Sequence, residues 1–63
     1  MTYEQIIEKA AELLRKGETI AICSEIESMA IKNGIYTEAE SYGAGGYAKV
    51  NKYWDDVYAA LER

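Results

Sequence analysis

YAKVNKYWDDVYAAL, residues 47–61, is the stretch whose reading decides the fold. Tyr47, Val50, Trp54, Val57 and Leu61 recur at 3-4-3-4 spacing, the seam of a packed helix. Tyr53 and Tyr58 flank that seam. The pattern runs for about two heptads, so it predicts a helix over about 47–62 in a small bundle rather than a coiled coil. Just before it stand Gly43, Gly45 and Gly46. Each costs a helix interior about 1 kcal/mol relative to alanine, so three together break or loosen any helix there. Residues 37–46 are therefore expected to be irregular or a short helix, opened by a capping box of Thr37 and Glu40.

Further toward the N-terminus, two more helices are written in the same terms. Thr2 and Gln5 form a capping box, followed by Tyr3, Ile6, Ile7, Ala10, Leu13 and Leu14 at helical spacing. Acids come early and bases late in this segment, as the helix dipole prefers, and Gly17 supplies the stop. This predicts a helix over 3–16. A second is predicted over about 19–33. Ile22, Ile26, Met29 and Ala30 form its main stripe, with Ile20, Cys23 and Ile31 widening it to more than one side. Such a helix is central, or covered by a second subunit. Asn33-Gly34-Ile35 reads as a Schellman ending with Ile35 folded back. The short Lys16-Gly17-Glu18 link makes the first two helices antiparallel neighbours. The expected fold is a single all-α domain over 1–63: a three-helix bundle, or four with the short middle helix.

Size bears on assembly. A domain of 63 residues buries only about 60% of the surface its unfolded chain exposes. Small chains usually need a disulfide, a metal or self-association. One cysteine allows no internal disulfide, and the absence of histidine leaves no zinc-ligand set. A homo-oligomer, most simply a homodimer formed through the second helix and the aromatic last helix, is therefore expected.

Composition narrows the partners. With 49% apolar and 29% charged residues the chain is globular rather than disordered. A net charge of −4 argues against nucleic-acid and anionic-membrane binding, both of which use clustered lysine and arginine. No apolar run is long enough to span a membrane and no signal-peptide core opens the chain, which together with the lone thiol suggests a cytoplasmic setting.

Gly43, Gly45 and Ala48 imitate a dinucleotide fingerprint, but that motif needs a strand before it and an acid about 20 residues after it, and neither fits. Cys23 lacks a histidine and sits among apolar residues, where thiols are inert. Glu25 and Glu27, like Asp55 and Asp56, diverge on a helix and make no carboxylate pair. No catalytic, cofactor or metal residue is expected. Ala30, Gly34 and Ile35 before the capped turn at Thr37 fit a helix-turn-helix, so a small DNA-binding regulator using residues 30–42 is the alternative. Against it, the would-be reading helix carries Glu38 and Glu40 and no base. The tyrosines remain. Tyr47 and Trp54 suit core closure, while Tyr53 and Tyr58 fall off the seam and suit contact with another protein. The expected interface residues are Ile20, Ile31, Tyr47, Tyr53, Trp54 and Tyr58.

Several runs carry a resemblance: Thr2-Tyr3-Glu4-Gln5, Glu25-Ile26-Glu27-Ser28-Met29-Ala30, and Gly43-Ala44-Gly45-Gly46-Tyr47 followed by Tyr53-Trp54-Asp55-Asp56-Val57. In these, across nearly its whole length, the chain resembles the small early-region accessory proteins of lambdoid phages. That resemblance implies an early-expressed cytoplasmic helical protein that biases host physiology or the lysis–lysogeny choice, and it brings no active-site residue.

Overall fold

The computed structural model describes every residue, Met1–Arg63. It is all-helical, with α1 over Tyr3–Arg15, α2 over Ile20–Lys32, α3 over Glu38–Ser41 and α4 over Ala48–Glu62. The middle segment does form a helix, of one turn.

The starts are built from side chains that satisfy the orphan N–H groups of a first turn. At α1, Gln5 N–H donates to Thr2 Oγ1 at 3.1 Å, and Thr2 N–H donates to Gln5 Oε1 at 2.8 Å. The same reciprocal box opens α3, from Thr37 and Glu40. Thr19 caps α2 by accepting from Ile22 N–H. Only α4, the longest helix, begins without a side-chain cap, at Tyr47.

Two of the ends are Schellman motifs. At α2, Ile35 N–H donates to Ala30 O and Gly34 N–H to Ile31 O, with Gly34 at φ +74°. After α3 the pattern repeats: Ala44 N–H donates to Ala39 O and Gly43 N–H to Glu40 O.

One core joins the elements: Ile6, Ile7, Ala10, Ala11 and Leu14 from α1, Ile26 and Ala30 from α2, Tyr36 from the α2–α3 link, and Tyr53, Val57 and Ala60 from α4. The principal packing is α1 against α4, with α2 on α1 and α3 resting on α4. Ala10, Ala11 and Ala60 are all buried, small residues that let α1 and α4 approach closely.

The buried stripe of α4 is not the expected one. Its centre is Tyr53, Val57 and Ala60, while Val50, Trp54 and Leu61 lie half-buried to one side and Tyr47 is exposed. At 100° per residue this is a rotation of roughly 70° from the 3-4-3-4 seam. Tyr53, expected off the seam, is fully buried.

Candidate protein-contact surfaces

Tyr53 is a core residue and not a contact residue. Its hydroxyl donates to Ile26 O at 2.8 Å, tying α4 to α2. Its ring meets Tyr36 edge-on at 5.8 Å and Trp54 at 6.0 Å. Burial pushes the Tyr53 phenol far above its ordinary range. Tyr36 is equally buried, but its hydroxyl has no hydrogen-bond partner. Burial raises this phenol too, the Glu27 carboxylate adds to the rise, and an approach of the Trp54 side chain that falls short of hydrogen-bond geometry opposes it.

Of the six residues expected at an interface, Trp54 and Tyr58 stand together on α4. Trp54 is half-buried, Tyr58 is exposed, and their ring centroids lie 6.2 Å apart. Tyr58 reaches toward α2: partial desolvation raises its phenol, and the negative charge of Glu18 reinforces the effect. Ile20 is 88% exposed at the first position of α2. Ile31, near the other end of that helix, is half-buried, as is the free thiol of Cys23.

Tyr47, read both as core closure and as an interface residue, is exposed on a different surface. It faces Tyr42 across the glycine loop, and the two rings are 53% and 79% exposed. Gly43 has φ +100°, and a Cβ placed there would lie 2.8 Å from Tyr47 Oη and 2.9 Å from Cζ. The Tyr47 ring therefore lies directly on the Gly43 backbone, which only glycine permits. Tyr47 Oη also donates, at 3.4 Å, to Tyr42 O. Beside this clasp, Lys49 Nζ meets Glu40 Oε2 at 3.0 Å. The Thr37 N–H bond, and after it Lys49, hold the Glu40 carboxyl below its usual range. The sequence signal was available in Tyr42-Gly43-Ala44-Gly45-Gly46-Tyr47, a tyrosine at each end of a loop that cannot stay helical.

The polar groups elsewhere brace α1 against α4. Tyr3 Oη donates to Asp56 Oδ2, Lys52 Nζ lies 2.7 Å from the same oxygen, and Lys52 stands 5.2 Å over the Tyr3 ring. Lys52, then Tyr3, draw the Asp56 carboxyl below its normal range. Arg15 donates to Ala60 O at 3.1 Å, and Arg63 pairs with Glu8 at 2.8 Å. An open groove runs along this seam, lined by Tyr3, Glu8, Glu12, Asp56 and Arg63 among others. No group of three histidine, cysteine, aspartate or glutamate side chains gathers closely enough to hold a metal ion. No helix is long and apolar enough to cross a membrane.

Where a helix-turn-helix would place its reading helix stands α3, four residues long, with Glu38 and Glu40 in its only turn. The glycines of the apparent dinucleotide fingerprint follow that helix and not a strand. No family model, curated protein sequence or solved structure matches the chain.

Proposed function

We propose that this chain is a non-enzymatic protein–protein interaction module that contacts a host protein through the Tyr42–Tyr47 loop. The observation that carries this reading is the pair of exposed tyrosines closing a glycine loop on a packed helical frame. Tyrosine supplies a large amphipathic contact area with few torsions to freeze, and glycine lets the backbone conform to what it meets. Antibody contact loops use that same pairing. The helix boundaries hold both ends of the loop: the Schellman turn after α3 fixes Tyr42, and the first turn of α4 fixes Tyr47.

The likeness to lambdoid phage accessory proteins supplies the biological setting of this proposal: an early-expressed cytoplasmic regulator that biases host physiology or the lysis–lysogeny choice. The host would supply the partner.

The test begins with a photo-crosslinking amino acid at position 42 in the host cell. The captured protein is then purified and its affinity measured directly. Tyr42 is mostly exposed, so Tyr42→Ala leaves the fold intact, and an aromatic anchor of this kind is worth about 2 kcal/mol or more. The variant should bind about thirtyfold more weakly. Unchanged affinity for every purified crosslinked partner would sink the proposal. A salt-dependent gel shift with duplex DNA would instead favour the DNA-binding regulator.

A further inference from the structure

We infer that the α2–α4 edge holds a site for the guanidinium of an arginine side chain presented by a partner protein. Two polar groups at this edge lack partners. Tyr36 is 2% exposed, and its hydroxyl has no hydrogen-bond partner. Glu27 on α2 is half-buried, and no cation of the chain pairs with it. The two are neighbours: the Glu27 carboxylate bears electrostatically on the Tyr36 phenol, and the Trp54 side chain approaches the same hydroxyl. Trp54 itself is half-buried, edge-on to Tyr53 at 6.0 Å and tilted against Tyr58 at 6.2 Å. The helix register brings these groups together. Ile26 O accepts from Tyr53 Oη, and Cys23, earlier on α2, influences Tyr58, later on α4, so the two helices run antiparallel.

A buried hydroxyl and a half-buried carboxylate, both unsatisfied, call for a group that brings N–H donors and positive charge. A carboxylate only accepts, and a phenol oxygen can accept while its proton goes elsewhere. Arginine suits this set better than lysine. Its planar fork donates to a carboxylate through two parallel bonds and has further N–H groups for Tyr36 Oη. The same plane stacks on an indole face, here the exposed part of Trp54. A guanidinium is also more weakly hydrated than an ammonium, so it enters a partly buried site at less cost. Both side chains near the hydroxyl are half-exposed, which places Tyr36 Oη one side chain below the surface. Entry therefore asks for new rotamers and no backbone change.

The chain's own arginines are engaged elsewhere, Arg15 with Ala60 O and Arg63 with Glu8. The guanidinium therefore comes from another protein. A net charge of −4 favours its approach, and Glu18, whose charge is felt at Tyr58, adds a second acid at the rim. In the free chain the orphan hydroxyl only destabilises, and the ligand gives it a use. The site shares no residue with the Tyr42–Tyr47 loop, so each can fail without the other.

Trp54 is the only tryptophan of the chain, so its indole N–H resonance reports on the site directly. N-acetyl-arginine amide is titrated into the isotope-labelled full chain through the millimolar range, the scale expected of a single side-chain contact. The Trp54 resonance should shift and saturate. N-acetyl-citrulline amide, of the same shape but uncharged, should leave it in place. Glu27→Gln keeps the side-chain shape and removes the charge, and should weaken binding about tenfold or more. Tyr36→Phe should weaken binding about threefold to tenfold without lowering the melting temperature, a split that a purely structural tyrosine would not give. Melting curves of both variants confirm that they fold. A shift that never saturates, an equal response to the citrulline amide, or unchanged affinity in either variant would each overturn the proposal.

Discussion

Helices α1 and α2 are both thirteen residues long and both begin at a threonine cap, yet α1 buries five residues and α2 only two. Composition does not explain the difference, because α2 is the more apolar of the pair. Arrangement does. The apolar residues of α1 fall on one face, as Ile6, Ile7, Ala10, Ala11 and Leu14, with acids and bases opposite. Those of α2 are spread around the helix, so only Ile26 and Ala30 are fully buried, while Ile22, Cys23, Met29 and Ile31 pack against the core half-exposed. Burial follows from segregation and not from total hydrophobicity. The polar braces show the same asymmetry. The α1–α4 seam has Tyr3–Asp56, Arg15–Ala60 and Arg63–Glu8, whereas α2 is tied to α4 by the Tyr53–Ile26 bond.

The sharpest way to break this comparison is to alter the two faces of α2 separately. Ile26→Ala removes a fully buried side chain from the centre of the face by which α2 is held, and should cost about 2–5 kcal/mol in denaturant unfolding. Ile20→Ala, the same chemical change on the 88% exposed side, should shift stability by less than about 0.5 kcal/mol in dilute monomer. Equal effects at the two positions would mean that the Ile20 side of α2 is held as firmly as its buried Ile26–Ala30 centre.

Next in size is the polar tie. In Tyr53→Phe the ring stays and the bond to Ile26 O is lost, which should cost about 1 kcal/mol, read as a lower denaturant midpoint with an unchanged slope. Hydrogen exchange should register the loss more strongly in α2 than in α1, since only α2 loses an attachment. Uniform loosening of both helices would erase the distinction drawn between them.

Much of this was legible in the sequence, and the misses have one cause. Both capping boxes and the Asn33-Gly34-Ile35 ending were read correctly, because each is a local contract between a few neighbouring residues, while residues 37–46 had been left open between irregular structure and the short helix that forms. The rotated face of α4 was not. Pattern reading weights the largest apolar side chains, which pointed to Tyr47, Trp54 and Leu61. The principal helix packing, α1 against α4, instead buries small ones, Ala60 on α4 and Ala10 and Ala11 on α1. Ala60 carries no hydrophobic signal strong enough to draw the seam toward itself. Once it does set the face, Tyr53 turns inward and Tyr47 outward. Tyr47 was named for contact, but the loop that it closes with Tyr42 was not read as a surface.

One predicted effect has a reversed sign. Tyr36 and Tyr53 pack edge to face at 5.8 Å and are both buried, but only Tyr53 has a hydrogen-bond partner for its hydroxyl. A buried hydroxyl without a partner carries its desolvation cost uncompensated. Tyr36→Phe should therefore be neutral or stabilise the chain by up to about 1 kcal/mol, where the same substitution one ring away destabilises it. Alkaline titration offers an independent check. Both phenols are raised in the folded chain, so their protonated forms favour folding fully below pH 10.0, and that contribution is lost as the pH rises beyond it. Each substitution removes one of these ionisations and should flatten the alkaline decline in stability. Melting curves of the two variants at neutral pH and above pH 10 would separate the hydrogen bond from the titration. If Tyr36→Phe were as costly as Tyr53→Phe at neutral pH, the Tyr36 hydroxyl would have a partner after all, and the core at the α2–α4 edge would be more tightly knit than its geometry allows.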